Sequence, residues 1–405
     1  MVRKSILCLV ALMLMIVPMW GCGTNEEPQD KVTIKIGSLM DLTGPTAMAY
    51  RTVLWAIQDI IQYVNEEDPI SGVILESVVY DTKYDPSRSK PGYDWLRSQG
   101  CVCITGLTGV DHETLAPFSE VDRFPIFGFS MTEAIDTSPG WTFSTDLRYG
   151  YGCCTALDWL SEDWDYSNGK PKVGAVGWNV AVGVEIVGSS EQYCQDHADD
   201  FEWVYGALTP PGTLDWYSEI EKLKDCDFIM HGAAGSGSVT FAKQFAEKGY
   251  PGRQVFPKAT GYLIGSLVDE VGAEAMDGTL FVTEAPMPVE SYTWIETYKS
   301  LLYAKHADDA DTQWNKYCTY LSVIPGAHLA CEIIRQAVSD VGADKVDSES
   351  IYDAILDTQL DLGSGLIYSY GEGKHSARDA FRIWEYDGDL LSWSQCSEWL
   401  TPVVS

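Results

Sequence analysis

The sequence predicts an α/β protein with mainly parallel sheets, arranged as two lobes with a cleft between them. Strand-like apolar runs alternate with helix-like segments, and this alternation restarts near residue 172. Such an alternation is typical of βαβ units, in which helices connect parallel strands. The 405 residues are enough for two domains of ordinary size. A pattern that restarts in the middle of the chain therefore indicates two similar α/β halves.

The first half contains four predicted strands, at 32–39, 73–80, 101–105 and 124–129. A helix is predicted between the first two, because apolar residues recur there at the spacing of one helical face: Val53, Leu54, Ile57, Ile60, Ile61 and Val64. A second helix is predicted over 111–121, between the third and fourth strands.

The second half repeats the arrangement. Strands are predicted at 172–177, 201–205, 227–231 and 254–257, and helices near 181–197, 213–225 and 237–248. A further strand at 279–283 lies on the return to the first lobe. Helices follow near 291–306, 316–340 and 348–357. The segments 378–386 and 390–393 flank Asp387-Gly388, which predicts a hairpin at the end of the chain.

The charge balance excludes several classes of partner. The chain has 27 Lys and Arg against 59 Asp and Glu, a formal net charge of −32. Without a basic surface, binding to nucleic acid or to anionic lipid headgroups is disfavoured. Hydrophobic residues make up 45% of the chain, which is enough to bury a core. The charge is therefore interpreted as a means of solubility.

The N-terminus predicts export. Arg3 and Lys4 precede an apolar run at 6–17, which is too short to span a bilayer and is typical of a signal peptide. The run ends at Gly21-Cys22, which resembles the lipobox of bacterial lipoproteins. We therefore expect a signal peptide at 1–21, lipidation of Cys22 and a tether at 22–31. The alternative is an ordinary cleaved signal with an incidental cysteine. Nine cysteines follow this segment, and most are expected to be free and buried.

A series of short motifs follows the tether. In order, these are Ile34-Lys35-Ile36-Gly37, Leu42-Thr43-Gly44-Pro45, Ile70-Ser71-Gly72, Ile104-Thr105-Gly106, Phe124-Pro125-Ile126 and Ser130-Met131-Thr132. Their order and spacing resemble the type I periplasmic binding proteins of the leucine/isoleucine/valine-binding class, the receptors of branched-chain amino acid and amide ABC importers. The resemblance extends from about residue 32 to about 395.

The resemblance implies two Rossmann-like lobes joined by three crossovers, with the ligand in the hinge cleft. Lobe 1 is then expected at 32–147 plus 285–364, and lobe 2 at 148–284 plus 365–405. The implied partners are a small-molecule ligand and an ABC permease/ATPase complex, with no cofactor. The implied location is extracytoplasmic, lipid-anchored to the cell membrane on its periplasmic or outer face.

Other functions remain open beside the importer receptor. The chain is also compatible with a branched-chain amino acid receptor proper, or with a lipoprotein that senses a ligand and signals without transport. Enzymatic activity is not expected, because no Gly-x-Ser-x-Gly elbow occurs. The six histidines show no metal-ligand spacing, so no metal site is predicted.

Two loops are predicted to bind the ligand. They follow the strands at 101–105 and 124–129, and consist of Thr108, Gly109, Val110 and Asp111, and of Ser130, Met131 and Thr132. In open α/β sheets, ligands bind at the carboxyl ends of strands, where helix N-termini and hydroxyls suit a carboxylate. In the family, these loops hold the carboxylate and ammonium groups of an amino acid. The alternative is simple helix N-capping by Asp111 or Thr132.

Two departures from the family concern the second lobe. Val182 stands where the family's amino-acid receptors have a Tyr. The stretch 233–238, which includes Gly235 and Ser236, contains no acid where those receptors have a Glu that pairs with the ligand ammonium. A buried ammonium without a carboxylate partner costs several kcal/mol. A plain α-amino acid is therefore not the expected ligand, unless Asp146, Asp111 or Glu284 substitutes.

Aromatic side chains suggest the nature of the ligand body. Those expected to face the cleft are Tyr50, Tyr149, Tyr151 and Trp178, and such walls suit an apolar or aromatic ligand. The alternative is that they reflect an overall aromatic content of 12%. Arg148 or Arg51 is expected to pair with a ligand carboxylate, or else to have a hinge or surface role. The sequence therefore predicts a small carboxylate or amide with an apolar or aromatic body.

Overall fold

The structure, a computed structural model, describes residues 31–44, 46–138, 140–233, 236–257 and 264–404. The predicted signal peptide, the lipidation site Cys22 and Gly235 lie outside the described residues. Within them, no helix combines the length and the apolar character that crossing a membrane requires.

The first lobe contains a five-stranded, fully parallel sheet with the order β2-β1-β3-β4-β5. Its strands are β1 (Val32–Met40), β2 (Val73–Asp81), β3 (Cys101–Leu107), β4 (Ile126–Gly128) and β5 (Thr142–Ser144). The connecting helices are α1 (Ala47–Glu66), α2 (Pro86–Ser98), α3 (Gly109–Asp122) and α4 (Glu133–Asp136). Helices cover both faces of such a sheet, which is why its strands read as nearly continuous apolar runs.

The second lobe contains a seven-stranded sheet with the order β14-β13-β10-β9-β8-β6-β7. Its strands are β6 (Lys172–Trp178), β7 (Glu202–Thr209), β8 (Phe228–Gly232), β9 (Arg253–Pro257), β10 (Leu280–Thr283), β13 (Arg382–Asp387) and β14 (Ser392–Gln395). Its helices are α5 (Tyr149–Glu162), α6 (Ala181–Asp196), α7 (Tyr217–Leu223), α8 (Ser236–Lys248), α9 (Ile264–Val271) and α10 (Ala273–Met276). The predicted hairpin is confirmed, because β13 and β14 pair antiparallel.

The chain then returns to cover the first sheet. This part contains α11 (Thr293–Lys305), α12 (Ala310–Thr312), α13 (Thr319–Val341), α14 (Ser348–Asp357) and the antiparallel pair β11 (Gln359–Asp361) and β12 (Ile367–Ser369). Residues of α11, α13 and α14 share one apolar core with the predicted face of α1, where Val53, Ile57 and Ile60 are buried. The prediction of this amphipathic helix is therefore confirmed.

The third crossover was predicted at 364/365, and this position stays a prediction; the packing of the residues that follow bears on it. Leu366, Tyr368 and Tyr370 recur with the two-residue period of a strand and are buried in the core of the first lobe. Phe381 is the first later residue in the core of the second lobe. The chain therefore passes from the first apolar core to the second between Ala377 and Phe381.

All nine cysteines from Cys101 to Cys396 are free, and seven of them are buried. This confirms the prediction that most act as small apolar side chains.

Candidate functional site

The two predicted binding loops lie side by side. The strands that precede them, β3 and β4, are parallel neighbours, so their carboxyl ends meet at one edge of the sheet. A Cβ atom added to Gly109 would lie 2.9 Å from the Ser130 Oγ. The Ser130 hydroxyl in turn forms a 2.6 Å hydrogen bond with the Tyr149 hydroxyl. The structure thus brings both loops together with a tyrosine that begins the second lobe.

The start of α3 leaves backbone donors available. The Thr108 Oγ1 accepts a hydrogen bond from the Asp111 N–H at 3.2 Å, so Thr108 is the N-cap. The alternative of capping by Asp111 is wrong, because the helix already begins at Gly109. In the part of the chain that the structure describes, the N–H groups of Gly109 and Val110 have no acceptor. Both can donate to an oxygen atom of a ligand.

Asp111 is fully buried and held by hydroxyl groups. Its carboxylate accepts hydrogen bonds from Thr82 at 3.0 Å, Ser89 at 2.6 Å and Thr108 at 2.7 Å. Burial raises the pKa of Asp111 above its ordinary value. This carboxylate therefore fixes the loop through hydrogen bonds on its buried side, and it does not reach the surface.

The second loop exposes one of its polar groups toward the first. Met131 is fully buried, and its carbonyl accepts a hydrogen bond from the Tyr149 N–H at 3.2 Å. The Thr132 hydroxyl donates to Glu113 at 2.7 Å and makes no capping bond to α4. Thr132 is therefore the N-cap residue of α4 by position, but its side chain does not cap the helix. Only Ser130 of this loop directs its hydroxyl to the side of Gly109.

Three tyrosines surround these loops, and one of them, Tyr84, was not among the predicted site residues. Tyr50 on α1 is half-buried, and burial together with the nearby Tyr84, Tyr149 and Asp111 raises its pKa well above the ordinary value. Tyr84 follows β2, and burial also raises its pKa. We call Tyr50, Tyr84 and Tyr149 the tyrosine wall.

Tyr84 is positioned by an unusual backbone. Lys83 and Tyr84 are consecutive residues in the left-handed region, with φ of 57° and 58°. Asp81 accepts hydrogen bonds from the Lys83 N–H at 3.0 Å and the Leu42 N–H at 2.9 Å, which ties this turn to the loop after β1. A Cβ atom on Gly44 would lie 2.5 Å from the Lys83 carbonyl oxygen, so the turn also needs a glycine there. Such strained conformations tend to occur at functional sites.

Each of the three crossovers contributes one charged residue to a buried cluster, which we call the hinge cluster: Asp146, Glu284 and Arg378. The Arg378 Nη1 lies 3.0 Å from Asp146 and 3.9 Å from Glu284, and all three side chains are at most 1% exposed. The Arg378 Nη2 donates to the Ser322 carbonyl at 2.6 Å. Glu284 also accepts a hydrogen bond from the Leu147 N–H. Glu284, predicted to bind the ligand, is thus engaged in the joint between the lobes.

The other predicted residues lie in the second lobe. The Trp178 Nε1 donates to the Thr213 carbonyl at 3.2 Å, and the ring packs directly against Gly237. Val182 is half-buried in the first turn of α6, and Ser236 is exposed at the start of α8. Their contact with a ligand remains a prediction.

The predicted cleft residues Tyr151 and Arg148 have protein partners. The Tyr151 hydroxyl donates to Asp136 at 3.1 Å, and Arg148 pairs with Glu185 at 2.8 Å. Arg51 is exposed and donates to the Leu42 carbonyl at 3.3 Å. Across the ranges the structure describes, no group of three or more His, Cys, Asp or Glu side chains could hold a metal ion.

A family model described as periplasmic binding protein matches residues 33–389, which is most of the chain. The chain belongs to the periplasmic binding protein family. The family resemblance seen in the sequence is therefore confirmed. A search of curated proteins found no match to the sequence of this chain.

Solved structures support the two-lobed fold. A branched-chain amino acid ABC transporter protein from Thermus thermophilus with bound valine has a TM-score of 0.80 at 18% identity, covering 92% of this chain and 97% of that one. A fatty acid ABC transporter substrate-binding protein from Thermomonospora curvata has a TM-score of 0.77 at 18% identity, covering 91% and 92%. A solute-binding protein from R. palustris in complex with benzoate has a TM-score of 0.72 at 15% identity, covering 92% and 98%. The predicted fold class is confirmed.

Proposed function

We propose that this periplasmic binding protein is the extracytoplasmic solute receptor of an ABC importer and binds its ligand without converting it. The ligand is a small carboxylate or amide with an apolar or aromatic body, held between the lobes. The observation that carries this proposal is the meeting of Gly109, Ser130 and Tyr149 at the strand ends of the first lobe. Parallel α/β sheets bind small molecules at this edge.

The chemistry of these groups favours a ligand oxygen beside a flat apolar surface. The N–H groups of Gly109 and Val110 and the hydroxyls of Ser130 and Tyr149 supply hydrogen-bond donors. The rings of Tyr50 and Tyr84 supply apolar surface next to them. The second lobe contributes Trp178, Val182 and Ser236 to the opposite wall.

An α-amino acid suits the site less well, because the neighbouring carboxylates already have partners. Asp111 accepts three hydroxyl hydrogen bonds, while Asp146 and Glu284 lie against Arg378. The segment 233–238 supplies no acid either. A ligand ammonium would be buried without a partner, at a cost of several kcal/mol. The fold itself accommodates both chemistries, since related structures hold valine and benzoate.

The N-terminal sequence supports a membrane anchor. We infer that Cys22 is lipidated, that 22–31 is a tether, and that the receptor works at the cell membrane with a permease and an ATPase. A receptor that signals without transport shares the same site. Identifying the membrane protein that co-purifies with the full-length chain distinguishes an ABC importer from a signalling partner.

A thermal-shift screen tests the ligand class. We expect benzoate or benzamide to raise Tm more than leucine, isoleucine or valine. Gly109→Ala should abolish the shift, because its methyl group pushes against the Ser130 hydroxyl. Gly188→Ala is the matched control, since a Cβ atom there meets nothing within 4 Å. A large shift with the three aliphatic amino acids and none with aromatic acids would refute the proposal.

A further inference from the structure

The short helix α4 of the first lobe is tied to the second lobe at both of its ends. The residues involved, which we call the α4 clasp, are Glu133, Asp136, Arg148, Tyr151 and Glu185. Glu133 and Asp136 belong to the first lobe, and the other three follow the first crossover. The α4 clasp therefore links the lobes separately from the hinge cluster.

Glu185 makes the central contacts of the α4 clasp. Its Oε1 accepts hydrogen bonds from the Arg148 Nε at 2.8 Å and the Gly150 N–H at 3.1 Å. Its Oε2 accepts one from the backbone N–H of Glu133, across the lobes, at 3.0 Å. The Glu185 side chain is only 8% exposed. A carboxylate of the second lobe is thus held at the first residue of α4.

Two side-chain contacts complete the arrangement. The Arg148 Nη2 lies 3.0 Å from the Glu133 carboxylate, and the Tyr151 hydroxyl donates to Asp136 at 3.1 Å. The Arg148 guanidinium also lies over the Tyr151 ring, 5.2 Å from its centroid. One guanidinium therefore bridges carboxylates from both lobes, while the tyrosine holds the other end of α4.

We propose that the α4 clasp is a latch that holds the two lobes together on the Ser130 side of the cleft, whether or not a solute is bound. Its three interlobe contacts exist only while α4 lies against the second lobe, so they favour the arrangement of the lobes seen here over one in which α4 has moved away. A contact that favours one of two conformations shifts their populations by its free-energy difference. Because α4 directly follows the Ser130 loop, the latch also sets how readily that loop moves away from Tyr149.

The consequence for binding rests on the proposed function. If the closed arrangement is the one that holds the solute, a latch that raises its population raises the apparent affinity by the same factor. The effect on the lobes themselves does not depend on any ligand.

The test therefore uses the ligand-free protein. We compare wild type with Glu185→Ala by small-angle X-ray scattering and by hydrogen exchange of the backbone amides at 131–136. We expect a larger radius of gyration and at least tenfold faster exchange in Glu185→Ala. Glu191→Ala is the matched control, because Glu191 lies on the same helix and accepts its hydrogen bond from Gln195, also on α6, at 3.1 Å. It should behave as wild type.

A second variant covers the case in which Glu185→Ala fails to fold. Tyr151→Phe removes one hydroxyl and should speed exchange of the same amides about twofold to threefold. Unchanged scattering and unchanged exchange in a folded Glu185→Ala, or unchanged exchange in Tyr151→Phe where the first variant does not fold, would overturn the latch. If both variants open as expected and no tested solute raises Tm, the latch stands and the proposed ligand class fails.

Discussion

The hinge cluster and the α4 clasp both join the two lobes through charged side chains, but they differ in burial. Arg378, Asp146 and Glu284 are at most 1% exposed, whereas the side chain of Arg148 is 13% exposed and that of Glu133 is 68% exposed. A fully buried ion that loses its partner is costly, while an exposed pair contributes little. The difference suggests a permanent joint at the crossovers and a reversible contact beside the cleft.

The hinge cluster should give the largest effect. Arg378→Met leaves Asp146 and Glu284 buried without the guanidinium, so we expect the free energy of unfolding to fall by about 4 kcal/mol. Chemical denaturation measures this change. Arg51→Met is the control, because Arg51 is exposed and makes one hydrogen bond to a backbone carbonyl. A loss below about 1 kcal/mol would mean that the crossovers are not joined by these charges.

The pH dependence of the free energy of unfolding tests the core of a lobe rather than the joint between the lobes. His231 lies in the core of the second lobe, stacked on Phe256, and burial lowers its pKa to about 3. The unfolded chain binds a proton near pH 6.5 while the folded chain does not, so stability is full above that pH and is lost as the pH falls toward 3. Between pH 6.5 and 4.5, this residue should account for a loss of roughly 2 kcal/mol.

His231→Gln tests this expectation, because the variant cannot bind the proton in either state. Denaturation curves at the two pH values should show a smaller loss of stability in the variant than in wild type. An equal loss in both proteins would assign the acid sensitivity to groups other than His231.

The regular parts of the fold were readable from the sequence, because they depend on local patterns. The apolar spacing of α1 and the parallel strands before each binding loop were enough to predict that Gly109 and Ser130 meet. The start of α2 was equally readable but was missed: Asp85 accepts a hydrogen bond from the Ser87 N–H, and Pro86 occupies the first turn.

The remaining site residues depend on contacts between distant parts of the chain. Tyr84 reaches the site because Lys83 and Tyr84 adopt left-handed conformations, which no propensity of these residues predicts. Glu284 was assigned to the ligand, yet it lies against Arg378, far along the chain. A single sequence gives no local sign that a carboxylate will be buried beside a cation that is distant along the chain.

The smallest effect is expected at the exposed end of the α4 clasp. Glu133→Gln removes a charge whose side chain is 68% exposed, so the free energy of unfolding should change by less than about 0.5 kcal/mol. The backbone N–H of Glu133 still donates to Glu185 in this variant, so exchange of the amides at 131–136 should quicken less than in Glu185→Ala. Denaturation and hydrogen exchange on the same sample measure both effects. A loss of stability above about 1 kcal/mol would show that the α4 clasp is a structural joint like the hinge cluster, because a reversible latch contributes to closure and not to the folding of either lobe.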